Sequence, residues 1–145
     1  MPAIPKSVVD LIASGRLGHL VTFNSDGSPQ VTCVWVGIEG DELVTAHLRD
    51  HRKVRNVRVN PQVAISMESD RAIQQGPWLL KEYVVIYGKA RIEEGGAAEW
   101  LRHLSQVYIG PDADTQHLDD APRGFVLRIT PERFTGVGPW ANTQE

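Results

Sequence analysis

Arg49, Arg52, Lys53, Arg55 and Arg58 place five of the chain's 15 Lys and Arg side chains within ten residues, in a 145-residue protein of net charge −3. An apolar, strand-like run from Leu43 to Leu48 leads into Asp50, which reads as a helix cap, and Asn60-Pro61 stops the helix that follows. Positive side chains at a helix start favour an anion, because the first-turn N–H groups lack intrahelical partners and the macrodipole is positive there. Considered alone, the charge is explained equally well by a solvated basic face on a surface helix. Its confinement to one short segment of an acidic chain points to a small anion rather than to nucleic acid, whose binders carry a broad basic surface.

The remaining side chains offer no ready-made catalytic set, and no catalytic residue is assigned from the sequence. His19, His47, His51, His103 and His117 lack the spacing of zinc or iron ligands, so no metal site is expected. His47 and His51 stand apart because they flank the basic helix, within reach of a phosphate bound there. Cys33 sits between apolar neighbours in a strand pattern and reads as a buried small hydrophobe. A Gly-x-Ser-x-Gly elbow and suggestively spaced carboxylate pairs are missing. Gly136-Val137-Gly138-Pro139 lacks the following helix of a dinucleotide fingerprint. For an enzyme, these observations shift the chemistry onto a cofactor.

The elements that must position these residues follow from periodicity. Ser7 and Asp10 resemble a capping box for a short helix carrying Val8, Val9, Leu11 and Ile12, with Gly15 as its stop. From Gly18 the period becomes two, giving a strand to Phe23, a turn at Asn24-Ser25-Asp26-Gly27, a second strand over 30–38 and a third over 42–47. After the basic helix, 62–68 reads as a fourth strand and 69–77 as a polar loop. Trp78 to Ile92 is a run too long to stay straight in a domain of this size, with Gly88 as its natural kink. A helix over 93–107 and two short strands, 124–129 and 134–137, complete a single domain spanning 1–145. Antiparallel hairpins dominate, so the expected class is mainly β with peripheral helices, a small barrel rather than a doubly wound sheet.

Composition is that of an ordinary globular protein, 41% hydrophobic and 23% charged. No apolar run approaches the ~20 residues needed to span a membrane. Pro2 and Pro5 interrupt any signal core, and the single cysteine suits a reducing compartment, so a cytoplasmic location is expected.

Gly18-His19-Leu20-Val21-Thr22-Phe23, then Asp26-Gly27-Ser28-Pro29-Gln30, Trp35-Val36, the 51–61 segment and Val63-Ala64-Ile65-Ser66 together resemble the flavin-binding split-barrel superfamily. That group includes pyridoxamine 5′-phosphate oxidases and the actinobacterial flavin/deazaflavin oxidoreductases. The 83–92 strand around Gly88-Lys89-Ala90, and Tyr108-Ile109-Gly110-Pro111, are most similar to the deazaflavin-dependent branch.

The resemblance implies a split β-barrel homodimer with two cofactors at its interface, acting on a small-molecule substrate. It places the cofactor ring along the second and third strands, on Thr32, Val34, Trp35 and Val36 and on Thr45 and His47, and the phosphate at Arg52, Lys53 and Asn56, with His51 beside them. Arg52 and Asn56 project within about 40° of each other on a helix, while Val54 and Val57 face the barrel. Trp100 is expected in the core; Trp35, Trp78 and Trp140 are candidates for a planar-ligand pocket. The implied activity is hydride transfer from reduced coenzyme F-420 to an unsaturated organic substrate, with FMN chemistry or non-catalytic flavin or haem binding as alternatives. The chain shows no basic residue after Arg133, where pyridoxamine phosphate oxidases bind the substrate phosphate, so vitamin B6 oxidation is not expected.

Overall fold

A computed structural model describes residues 3–143. In chain order the elements are α1 (Lys6–Ala13), β1 (Gly18–Phe23), β2 (Pro29–Val34), β3 (Gly37–Glu39), β4 (Glu42–His47), α2 (Arg52–Val59), β5 (Gln62–Gln75), β6 (Trp78–Glu94), α3 (Ala97–Tyr108) and β7 (Phe125–Val137). Short 3-10 turns occupy Gln116–Leu118 and Pro139–Thr143. All seven strands form one antiparallel sheet in the order β2-β1-β5-β6-β7-β4-β3.

That order makes the architecture a split β-barrel. β2 and β3 lie at opposite edges of the sheet, yet only Trp35 and Val36 separate them. Three peptide steps reach at most about 11 Å, so the sheet must curl until its two edges nearly meet, leaving a seam at Trp35-Val36. Leu20, Ile65, Met67, Ile86, Leu127, Ile129 and Phe134 fill the interior, none more than 1% exposed. α1 adds Val8, Leu11 and Ile12 to this core, and α2 adds Val54 and Val57.

Several elements differ from the sequence-based expectation. The 30–38 strand breaks at the seam into β2 and β3. The 69–77 segment is not a loop: β5 runs on to Gln75 and pairs with Trp78–Lys81 beyond an irregularity between Glu68 and Ala72. The polarity of Gln74 and Gln75 reflects exposure on both faces of this projecting arm rather than absence of a strand. β6 continues to Glu94, and Gly95-Gly96, both at φ +83°, end it, so α3 begins at Ala97 and not at Glu93.

The two C-terminal strands are one. β7 passes through Pro131 at a bulge, where the register moves from Tyr87↔Arg133 to Gly88↔Pro131 and leaves Glu132 as the extra residue. A Cβ at Gly88 would lie 2.3 Å from the Thr130 carbonyl oxygen, so only glycine allows β6 and β7 this close, and the expected kink falls there.

Both expected side-chain caps are also absent. α1 starts at Lys6, two residues before the start a Ser7 cap would set, which puts Ser7 inside it, and Asp10 instead pairs with Lys6 at 3.1 Å. His51, not Asp50, occupies the cap position of α2, and the Asp50 carbonyl accepts a bond from the Arg55 guanidinium.

Candidate functional site

The basic helix divides its charge between two hollows. Lys53 turns toward β2, where its ammonium donates to Thr32 Oγ1 at 3.3 Å. There it lines a cavity of about 290 Å³ with Cys33, Val34, Trp35, Ala46, His47 and Leu101. Arg52 and Arg55 line a separate hollow of about 380 Å³ beside the β1–β2 turn, with Phe23, Asn24, Ser25 and Asn56. No side chain caps the N-terminus of α2; the Val54 N–H bonds back to the His51 carbonyl at 2.9 Å, and those of Arg52 and Lys53 have no side-chain partner.

Arg49, Arg52, Lys53 and Arg55 make no ion pair with a carboxylate among the described residues, whereas Arg16, Arg58, Arg71, Arg91, Arg102 and Arg128 all do. Burial pushes the Lys53 ammonium below its ordinary range, opposed by the nearby Cys33 thiol. An anion arriving at Lys53 would reverse that shift, so this donor set is chemically suited to phosphate.

His47 contributes no such charge. It is 7% exposed, and burial first, then the charges of Lys53 and His51, hold its pKa down at about 3. The neutral ring shares a 2.8 Å hydrogen bond between Nε2 and Thr45 Oγ1, and meets the His51 ring edge-on at 6.4 Å. His47 is therefore a neutral wall of the cavity and not a cationic phosphate ligand.

The aromatic wall stands on the seam. Breaking the strand at Trp35-Val36 removes ladder partners from Val36, which is 1% exposed. The Tyr108 hydroxyl replaces them: it accepts from Val36 N at 2.9 Å and donates to the Arg16 carbonyl at 2.7 Å. Burial raises the Tyr108 pKa, opposed by the Val36 bond, so the hydroxyl stays neutral and keeps its proton on Arg16. Its ring stacks on Trp35 at 5.3 Å and 13°. Trp35 is thus held from one side beside Lys53.

Of the residues expected from the sequence, Val34, Trp35, His47 and Lys53 line the first cavity, Thr32 and Thr45 each bond one of them, and Val36 anchors the seam. Arg52 and Asn56 share the second hollow, as their spacing requires, and His51 occupies the N-cap position without a side-chain cap bond. The Asn56 amide is committed to Thr22 Oγ1 at 3.1 Å and Asn24 Oδ1 at 3.0 Å, so it positions the β1–β2 turn. Two tryptophans stand elsewhere. Trp78 lies at the tip of the β5–β6 arm, 69% exposed, and Trp140 is buried in the core, its indole N–H donating to the Tyr83 carbonyl at 2.7 Å.

Cys33 is exposed on edge strand β2 rather than buried, with Sγ 3.7 Å from His19 Nδ1. An alternating strand puts one face outside, and apolar neighbours do not say which. Trp100 is half-buried, its ring against Gly37 of β3 and edge-on to His103, instead of fully in the core. Tyr108 and Leu101 were not assigned to the site from the sequence. The Tyr108-Ile109-Gly110-Pro111 motif was the available signal for the first of them. Among the described residues no His, Cys, Asp and Glu cluster could hold a metal ion, and no helix is long and apolar enough to cross a membrane.

With the open barrel and this cavity in place, the chain can be assigned to a family. The pyridoxamine 5′-phosphate oxidase profile matches residues 4–138, and the protein belongs to that family. An F420 reductase of known structure is 25% identical, with a TM-score of 0.70 over 91% of this chain and 98% of that one. A conserved hypothetical protein of Mycobacterium tuberculosis is 22% identical, with a TM-score of 0.71 over 100% of this chain and 91% of that one. General stress protein 26 of Bacillus anthracis is 19% identical, with a TM-score of 0.63 over 91% and 92%. No curated protein matches.

Proposed function

We propose that the protein is an oxidoreductase that binds coenzyme F-420 and transfers a hydride from its reduced form to an unsaturated small organic substrate. The observation that carries this reading is the set of four cations at the start of α2, Arg49 just before it and Arg52, Lys53 and Arg55 on it, without carboxylate partners among the described residues and next to an aromatic-walled cavity. F-420 has a phosphodiester and an oligoglutamate tail, so it presents more negative charge than FMN. The family assignment and the likeness to an F420 reductase agree with it.

Lys53, the first-turn N–H groups of α2 and His51 would hold the phosphate, and Trp35, Val34 and Ala46 would border the ring. The bound cofactor would supply the hydride. Val34, Leu101 and Trp35 would keep water from the ring, and His47 would add a neutral polar edge without a competing charge. The Tyr108 proton is committed to Arg16, so solvent supplies the proton that completes the substrate's reduction.

The cavity, about 290 Å³, is small for a ligand of this size and open toward edge strand β2. An outward sheet face bearing Val31 (61% exposed), Val21, Ala64, Tyr83 and Tyr87 continues from it across β1, β5 and β6. We infer that a second copy covers this face and completes the site, giving a homodimer of roughly twice 16.1 kDa by light scattering.

One observation favours FMN: only Lys53 among the basic side chains lines the cavity beside Trp35, and one phosphate needs little more. Fluorescence titration with both cofactors separates the readings. F-420 should bind tighter, with the gap narrowing as salt rises. Protein that purifies yellow with stoichiometric FMN and ignores micromolar F-420 selects the FMN reading, and binding of either without substrate turnover selects a carrier.

A further inference from the structure

We propose that Cys33, His19 and Glu68 form a thiol-exchange site at the mouth of the cavity, where Cys33 reacts with small anionic disulfides and takes up an adduct that keeps the cofactor out. The thiol chemistry stands on these side chains alone; the competition with cofactor rests on the deazaflavin reading above.

Register brings the three residues together. His19 of β1 lies directly opposite Cys33 of β2 and Ser66 of β5, and Glu68 follows Ser66 on the same face of β5. Their side chains stand in one row across three strands. His19 Nδ1 is 3.7 Å from Cys33 Sγ, and His19 Nε2 is 4.0 Å from Glu68 Oε1. A carboxylate on that side favours the tautomer with its proton on Nε2, which leaves Nδ1 free to take the thiol proton. Nucleophile, base and orienting group are thus in line. On its other side the thiol lines the cavity with Trp35 and Lys53, close enough to Lys53 for a charge on sulfur to support the ammonium. An exposed thiol between an imidazole and an ammonium is the setting of a reactive cysteine, whereas structural cysteines are buried among apolar groups. Nothing in the reduction proposed above uses this row.

The disulfide is the only oxidant the exchange needs. His19 takes the thiol proton, Cys33 Sγ attacks one sulfur, and a new S–S bond forms as the old one breaks. The leaving thiolate takes the proton back from His19. Cys33 ends oxidised in the mixed disulfide and the departing sulfur ends reduced. Lys53 draws a reagent that carries carboxylates. In a cavity of about 290 Å³ the adduct takes the space beside Trp35 that a cofactor ring needs, and the opening that admits the cofactor also admits the reagent.

The test measures adduct formation on the full chain with oxidised glutathione, an anionic disulfide, and with cystamine, a cationic one. Each rate is divided by that of the same reagent with the urea-unfolded chain. Cys33 is the chain's one cysteine, so intact mass assigns the adduct. Folding should speed oxidised glutathione by about tenfold at low salt and cystamine by about twofold at most. His19→Gln should lose most of that gain. Glu68→Gln should cost about twofold at most, because Glu68 is 72% exposed and screened by water. A thermal melt of each variant controls for folding. The adduct should weaken F-420 binding by about tenfold or more in a fluorescence titration, and dithiothreitol should restore it. Cys33→Ser should form no adduct, and its F-420 affinity should not respond to the reagent. Equal folded and unfolded rates with both reagents, or His19→Gln reacting as fast as the parent, overturns the site. Unchanged F-420 binding with the adduct in place overturns the competition. Failure of the reduced parent to bind F-420 overturns the deazaflavin reading, while the rate comparisons still decide the site.

Discussion

Two parts of this molecule concentrate arginine, and they are opposites. On the β3-β4-β7-β6 side, Arg128, only 11% exposed at its side chain, is clamped by Glu39 at 2.9 Å and Glu93 at 2.8 Å, with Glu42 at 3.7 Å, and Arg91 joins Glu42 at 3.1 Å. At the start of α2, Arg49, Arg52, Lys53 and Arg55 stand without a carboxylate partner among the described residues. The first arrangement spends its charge on ordering four strands; the second leaves charge available for a ligand. Counting basic residues along a sequence cannot separate these cases. Pairing can, because a guanidinium already neutralised and hydrogen-bonded has little left to offer an incoming anion.

The largest effect should come from breaking the clamped side. Arg128→Ala leaves Glu39 and Glu93 facing each other without their shared donor, and should lower stability by about 2–3 kcal/mol, or roughly 5–10 °C in Tm for a domain of this size. Cofactor affinity should stay within about twofold, because none of the carboxylates that hold Arg128 pairs with Arg52, Lys53 or Arg55. If the melt does not move and affinity collapses instead, the functional division between the two clusters is reversed.

The converse variant is Lys53→Ala. Charge-assisted contacts of this kind are worth roughly 1.5–3 kcal/mol when partly buried, so cofactor binding should weaken by about one to two orders of magnitude. Stability should hold or rise slightly, since a half-buried ammonium with one weak bond to Thr32 is removed from beside other cations. Unchanged binding in a fluorescence titration would reduce the α2 cluster to a solvated face.

A smaller effect joins the two sides of the seam. Tyr108→Phe keeps the stack on Trp35 but leaves Val36 N and the Arg16 carbonyl without their shared hydroxyl. We expect about 1–2 kcal/mol of lost stability and a several-fold weaker cofactor Kd as Trp35 loosens, with tryptophan fluorescence shifting to the red. Tyr108→Ala should lose the stack as well and weaken binding further. Equal affinity in both variants would show that Trp35 borders no ligand.

Much of this arrangement was legible before any coordinates. Alternation located β1, an apolar run located β4, and α2 with its inward Val54 and Val57 followed from spacing and from Asn60-Pro61. What escaped were features set by partners distant in sequence. The β2–β3 break depends on Tyr108, 72 residues from Val36, supplying the missing hydrogen bonds. The β5–β6 arm is a strand pair without a core face, so its residues carry no alternation to detect. The caps expected at Ser7 and Asp50 lost to competing contacts, an ion pair with Lys6 and a helix start moved to Arg52. Within the site, the charge of the helix was legible but not its two flanks, because which hollow each side chain meets is decided by β2 on one side and the β1–β2 turn on the other.

The smallest predicted effect reports on the electrostatic field that Lys53 creates. His47 has a folded-state pKa of about 3 against an ordinary value of 6.5, with burial as the main cause and the charges of Lys53 and His51 adding to it. The unfolded chain therefore takes up a proton that the folded chain refuses. The stability associated with the neutral ring is fully present above pH 6.5 and is lost progressively as pH falls toward 3. Between pH 6.5 and 5.5 the loss should be about 1 kcal/mol, a range in which ordinary carboxylates remain ionised and contribute little. His47→Gln retains a polar group for Thr45 without the titration, so urea unfolding of the variant should show a flatter profile over that interval. Cofactor phosphate at Lys53 acts in the opposite direction: by offsetting the ammonium's charge it eases protonation of His47, so with cofactor bound the loss should end at a higher pH. A parent and variant with the same slope from pH 6.5 to 5.5 would mean that His47 titrates normally, and that the cavity around it admits enough water to screen Lys53 without any ligand.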